Sequence, residues 1–216
     1  MRRLSAVLAG LALVLVSCDT ATAPEAVVPR PETGIPIPPD TGDPAEVDEN
    51  GLPYLLRFAP GVVPDQATVS FWAVQGKTRE GKIRNAVSGK DLVKLKVGPK
   101  ADIRLPDGTL VAENDSVLIT IRLDPDGRVL AEFAPAGLGF ASNEGAELTI
   151  AYDVADPDFN GDGGVNTIDV AAEDSLSIWR QGSDGEPFTP RASGRDRAGK
   201  KVVAIIPGFS RYAIAY

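Results

Sequence analysis

The chain reads as all-β, an antiparallel β-sandwich over residues 52–216, and three observations predict it. From Leu52 onward apolar residues come in short runs, broken every 8 to 15 residues by Gly, Pro, Asp or Asn. No 3.6-residue apolar period lasts beyond two turns, and several runs alternate strictly, as strands with one buried face do. Between the runs stand turn signals such as Pro106-Asp107-Gly108, Asp124-Pro125-Asp126-Gly127 and Ser183-Asp184-Gly185.

Each run is a candidate strand in turn. Tyr54 to Phe58 opens the domain, followed by Ala67 to Val74, Lys82 to Arg84, Leu92 to Val97 and Ala101 to Leu105. In the fourth, Val93, Leu95 and Val97 share one face and Lys94 and Lys96 the other, because successive side chains of a strand point to opposite sides. Ser116 to Leu123 follows, with Val117, Ile119, Ile121 and Leu123 on one face, then Val129 to Phe133 and Ala146 to Tyr152. Ser175 to Arg180, Lys201 to Ile206 and Arg211 to Tyr216 complete the set. Trp72, Trp179, Tyr152 and Phe209 fall in or beside these runs and are expected in the core or at its rim.

The segment before the domain has a different character. Residues 18–51 carry Pro24, Pro29, Pro31, Pro36, Pro38, Pro39 and Pro44 among acids and threonines. Such a composition buries too little to fold and predicts a disordered, proline-rich tether. Residues 1–17 have the layout of a signal peptide: Arg2 and Arg3, an apolar stretch from Leu4 to Val16 too short to span a bilayer, and small Ser17. Leu15-Val16-Ser17-Cys18 resembles the lipobox of bacterial lipoproteins. The resemblance implies acylation of Cys18 after cleavage before it, and an extracytoplasmic, lipid-anchored place in the bacterial cell envelope. Which membrane holds the anchor stays open.

Composition narrows the chemistry. Twenty-two basic and 30 acidic residues give a net charge of −8, a poor basis for general nucleic-acid binding. The absence of histidine removes the usual general base and the commonest zinc ligand. With Cys18 the only cysteine, no internal disulfide can form, so the domain folds by burial alone. No phosphate loop, serine elbow or metalloprotease motif is present. The chain is expected to be noncatalytic.

Three stretches stand in order: Pro106 to Leu123, then Phe133-Ala134-Pro135-Ala136-Gly137-Leu138-Gly139-Phe140 leading into Glu147-Leu148-Thr149-Ile150-Ala151-Tyr152, and finally Gly208-Phe209-Ser210-Arg211-Tyr212-Ala213. Together they resemble the ZU5-type β-sandwich and its bacterial relatives. Gly208 replaces the histidine usual before the "F-S" pair. The resemblance implies a noncatalytic structural or interaction module.

The segment with site-like chemistry runs from Asp158 to Asp169, within the Asp/Asn/Gly-rich stretch 156–169. Asp158, Asn160, Asp162, Gly164 (through its carbonyl), Asn166 and Asp169 fall at the positions an EF-hand loop uses to wrap Ca²⁺, with Gly163 at the sharp turn. The pattern is similar to a dockerin loop, although no helix precedes it and no second repeat follows. Asp169 to Asp174 is expected to form one helical turn, with Val165 and Ile168 pointing inward, inside a long hairpin connection. The alternative is a solvated polar loop, for which the same residues serve.

Between Lys77 and Arg104 nine basic residues face three acidic ones. Lys94 and Lys96 on one strand face would suit an anionic partner such as envelope polymer or phospholipid. They would equally serve as a solubilising face or guard an edge strand. Partners read from the sequence are thus the membrane, through the anchor, and an envelope protein or polysaccharide. An adhesive or ligand-binding module for glycan or peptide is the first alternative, and a hydrolase built on carboxylates the second.

Overall fold

The computed structural model describes residues 53–141 and 145–216. The signal peptide, Cys18 and the tether lie outside the described residues. The described part is all-β with one short helix. Its strands are β1 (Thr68–Val74), β2 (Arg79–Arg84), β3 (Asp91–Val97), β4 (Ile103–Arg104), β5 (Ser116–Leu123), β6 (Leu130–Ala134), β7 (Gly139–Phe140) and β8 (Ala146–Ala151). After the helix α1 (Thr167–Ser175) come β9 (Ser177–Gln181), β10 (Thr189–Arg191), β11 (Gly194–Asp196), β12 (Lys201–Ile206) and β13 (Arg211–Ala215).

Two antiparallel sheets account for most of them, in the orders β1-β5-β6-β13-β9-β10 and β11-β12-β8-β3-β2, with β4 and β7 forming a small ribbon. One core cluster joins the sheets. It holds Ile119, Ile121, Phe133, Ile178 and Ile214 from the first and Val93, Leu95, Leu148, Ile150 and Val202 from the second, the interdigitation of inner faces that defines a sandwich. The faces follow the alternation expected for β3 and β5: Val93, Leu95 and Val97 are buried, as are Ile119, Ile121 and Leu123.

Several expectations need correcting. Residues 54–58 form isolated bridges, Leu55 to Ala215, Arg57 to Arg128 and Phe58 to Ala155, because the chain passes from one partner to the next and builds no ladder. Trp72 stands 58% exposed, since Ala73 takes the inward position on β1. The connection after β8 is no hairpin: it leads from the five-stranded sheet to β9 in the other. β3 is no edge strand either, lying between β8 and β2. Glycine and proline dilute the short β7, β10 and β11, which therefore carry no alternating pattern in the sequence. Pro190 is tolerated because β10 is an edge strand.

The aromatic motifs meet at the join of β6, β7 and β13. Phe209 lies 5.5 Å from both Phe133 and Phe140, and Phe133 meets Tyr212 edge-on at 5.8 Å. The Tyr212 hydroxyl donates to the Gly208 carbonyl at 2.6 Å. Gly208 has a steric reason: a Cβ there would sit 2.7 Å from the Leu138 carbonyl oxygen and 3.3 Å from the Gly139 Cα. Both obstacles are backbone. Gly208→Ala should therefore cost about 1–3 kcal/mol by forcing the chain apart. Chemical denaturation of the full chain measures it, and an unchanged midpoint would show that β7 yields freely.

Candidate functional site

The residues between β8 and β9 build a compact coil closed onto α1. Asn166 caps the helix, its side-chain oxygen accepting from the Ile168 amide at 2.7 Å, and the Asp169 carboxylate reaches back to the Asn166 amide at 2.7 Å. This reciprocal pair is a capping box, and it starts the helix early enough to reach nine residues where one turn was expected. Asp169 also accepts from the amides of Phe159 at 2.7 Å and Asn160 at 3.4 Å, and it is 2% exposed. The carboxylate thus takes the inward position on α1 together with Ala172. Val165 and Ile168, expected to point inward, are turned out and stand 64% and 57% exposed.

The other candidate ligands form one hydrogen-bonded group. Asp158 accepts from the amides of Asp162 and Gly163 at 3.1 and 2.8 Å. Gly163 turns the chain at φ +94°, a conformation glycine adopts freely. Asp162 accepts from the side-chain amides of Asn160 at 3.0 Å and Asn166 at 2.9 Å, and from the Gly164 amide at 3.1 Å. The first two bonds hold its carboxyl below the usual aspartate range. Asn166 also donates to the Gly164 carbonyl at 3.1 Å.

Asp158, Asn160, Asp162, Gly164 and Asn166 are therefore brought together, while Asp169 serves as their buried clasp. Among the described residues no group of three acidic side chains lies close enough to share a metal ion. The donor set mixes carboxylate, amide and carbonyl oxygens, the hard, neutral-rich kind that suits Ca²⁺. Two amide N–H groups on Asp162 occupy the place of positive charge. The residues fit the ion provided the Asn160 amide turns its oxygen inward and the Asn166 Nδ2 leaves Asp162, the Asn166 oxygen being held by the Ile168 amide.

The loop is braced at both ends. Asp153, which follows β8, pairs with Lys90 at 2.7 Å. At the far end of α1, Arg195 donates to the Glu173 carbonyl, Arg197 pairs with Asp174, and the Lys200 Nζ lies 3.7 Å from Glu173. Cations at a helix C-terminus oppose the partial negative charge of its free carbonyls.

The two lysines of the candidate basic face share a side of β3 but not an environment. Lys96 is in register with Glu80 on β2 and Glu147 on β8, so carboxylates flank it. Lys94 is in register with Lys82 and Thr149. Around Lys94 lies a cleft of about 490 Å³ that Lys90, Lys200 and Lys201 also line. Sequence reasoning missed the latter two because only the pairing of β3, β8 and β12 brings them near Lys94. The chain matches no family model, no curated protein and no solved structure.

Proposed function

We propose that this chain is a noncatalytic lipoprotein of the bacterial cell envelope, anchored through an acylated Cys18 and a proline-rich tether. Its β-sandwich, of ZU5-like type, acts as a structural or interaction module that Ca²⁺ in the 158–169 loop stiffens. The observation that supports this most is the place of the loop. It is one of the covalent crossings between the two sheets, and it is closed by a buried clasp and lined with oxygen donors. An ion held there would cancel repulsion among Asp158, Asp162 and Asp169 and fix the crossing. Asp158, Asn160 and Asp162 would hold it by side chain and Gly164 by its carbonyl, with Asn166, whose oxygen caps α1, contributing through a water.

Titrating Ca²⁺ into the chelator-stripped full chain, with calorimetry and melting temperature read together, tests the reading. Saturable binding at about 10⁻⁴ to 10⁻³ M with a raised melting temperature is expected, the range of extracellular modules. Asp158→Ala combined with Asp162→Ala should abolish both. An unchanged response in that variant places the ion elsewhere, and no response in the unaltered chain reduces the loop to a polar connection. A second reading, a ligand-binding or adhesive module for glycan or peptide, draws on Trp72 and Leu118. They stand 58% and 44% exposed at paired positions of β1 and β5.

A further inference from the structure

The outer face of the five-stranded sheet carries a trough with a basic wall on either side. Thr149 and Ala151, two small residues, occupy successive outward positions of β8. Lys94 on β3 is in register with Thr149, and Lys201 on β12 is in register with Ala151. Long side chains on the flanking strands and short ones on the middle strand make a groove by geometry alone. Its volume of about 490 Å³ is within the range of small-molecule sites.

The charge in the groove is unbalanced. Four lysines (Lys90, Lys94, Lys200, Lys201) line it against two aspartates, on a chain whose net charge is −8. Of these, Lys90 pairs with Asp153 and Lys200 with Glu173, which leaves Lys94 and Lys201 as its cations without an ion pair among the described residues. Both aspartates are already engaged: Asp153 with Lys90 at 2.7 Å, and Asp91 with Arg84 at 3.1 Å and Lys82 at 3.8 Å. Neither Lys94 nor Lys201 has a carboxylate within ion-pair distance among the described residues.

An independent observation marks the mouth. Lys200, in the turn between β11 and β12, has φ +47°, a left-handed conformation that favours glycine or asparagine and strains a lysine. The turn is fixed there by the Tyr152 amide donating to the Lys200 carbonyl at 2.9 Å, and the ammonium sits 5.9 Å from the Tyr152 ring centre. Asp102 and Asn114 share this left-handed conformation, so at Lys200 it belongs to the turn, and its consequence here is to fix where the lysine leaves the backbone at the mouth.

We propose that this groove is a binding site for a phosphate-class anion. The reading stands apart from the calcium loop and survives its failure. Lysine ammoniums are compact point charges that can converge on a multiply charged tetrahedral anion from several directions, as phosphate-binding lysines do. Thr149 brings a hydroxyl to the floor. The anion has two chemical sources, a free phosphate monoester or the phosphodiester of a lipid headgroup.

Titration calorimetry of the full chain with inorganic phosphate, and in a second arm with glycerophosphoglycerol, tests it against chloride at matched ionic strength. Saturable binding is expected in at least one arm. It should weaken by about tenfold in Lys94→Gln and in Lys201→Gln, each of which removes one ammonium that no ion pair already holds. Lys96→Gln, on the same strand face but outside the groove, should bind as the unaltered chain does, and all three should keep its melting temperature. Tighter binding in the first arm assigns the free monoester, tighter binding in the second the headgroup. Absence of saturation in both arms, or an equal loss in Lys96→Gln, overturns the proposal. A melting temperature lowered in Lys94→Gln moves the decision to Lys201→Gln, whose side chain is exposed on β12.

Discussion

Phe209→Ala should lower the stability of the full chain by about 3–5 kcal/mol, the usual cost of emptying a large aromatic site in a core. Phe209 is 4% exposed and lies 5.5 Å from the rings of both Phe133 and Phe140, so its loss opens a cavity between β6, β7 and β13. Each aromatic pair adds about 0.5–1.5 kcal/mol beyond the buried area, which places the effect in the upper half of the range. Domains of this size hold about 5–15 kcal/mol in all, so one substitution removes about a quarter or more of it. Urea denaturation reads the change as a lower midpoint at constant slope. A loss under about 1 kcal/mol would mean that the neighbours collapse into the space and that the motif aromatics are interchangeable filling.

Asp169→Ala should cost about 3 kcal/mol, because it strands the amides of Phe159, Asn160 and Asn166 in a part-buried site, at about 1–3 kcal/mol for a buried group left unsatisfied and less where water reaches it. Part of the penalty is relieved as the loop opens to solvent. Asp169→Asn keeps one acceptor oxygen and should fall between the two. The contrast with Asp158 and Asp162 is informative: Asp162 is exposed and Asp158 partly so, and their removal should erase a calcium response while leaving the ion-free stability close to that of the unaltered chain. If Asp169→Ala left the melting temperature unchanged, the clasp would be dispensable and α1 would be held from its other end, by Arg195 and Arg197.

The class of fold was legible because alternation is a local property. In β3 and β5 the period of two places Val93, Leu95, Ile119 and Ile121 inward whatever the sheet order. Sheet membership was not legible, since the partners of β13 are β6 and β9, and nothing near Arg211 encodes either. The loop was legible in its sharp turn at Gly163, whose φ is +94°. Its orientation was misread, because hydrophobicity favours burying Val165 and Ile168 while the hydrogen bonds of Asp169 win the inward position. Half of the basic groove could be seen in Lys94. The other half, Lys200 and Lys201, lies more than a hundred positions along the chain and becomes adjacent only through β8.

The central seat of β13 governs the order of events during folding. Until Arg211–Ala215 inserts, the six-stranded sheet exists as two separate pieces, β1-β5-β6 and β9-β10, with the facing edges of β6 and β9 bare. Open edges of this kind invite pairing with other chains, and pairing across such sequence distances is slow. The six-stranded sheet therefore closes only once Arg211–Ala215 is available, so it cannot be completed during synthesis until β13 has emerged, and the protection of those two edges falls until then to whatever holds the emerging polypeptide.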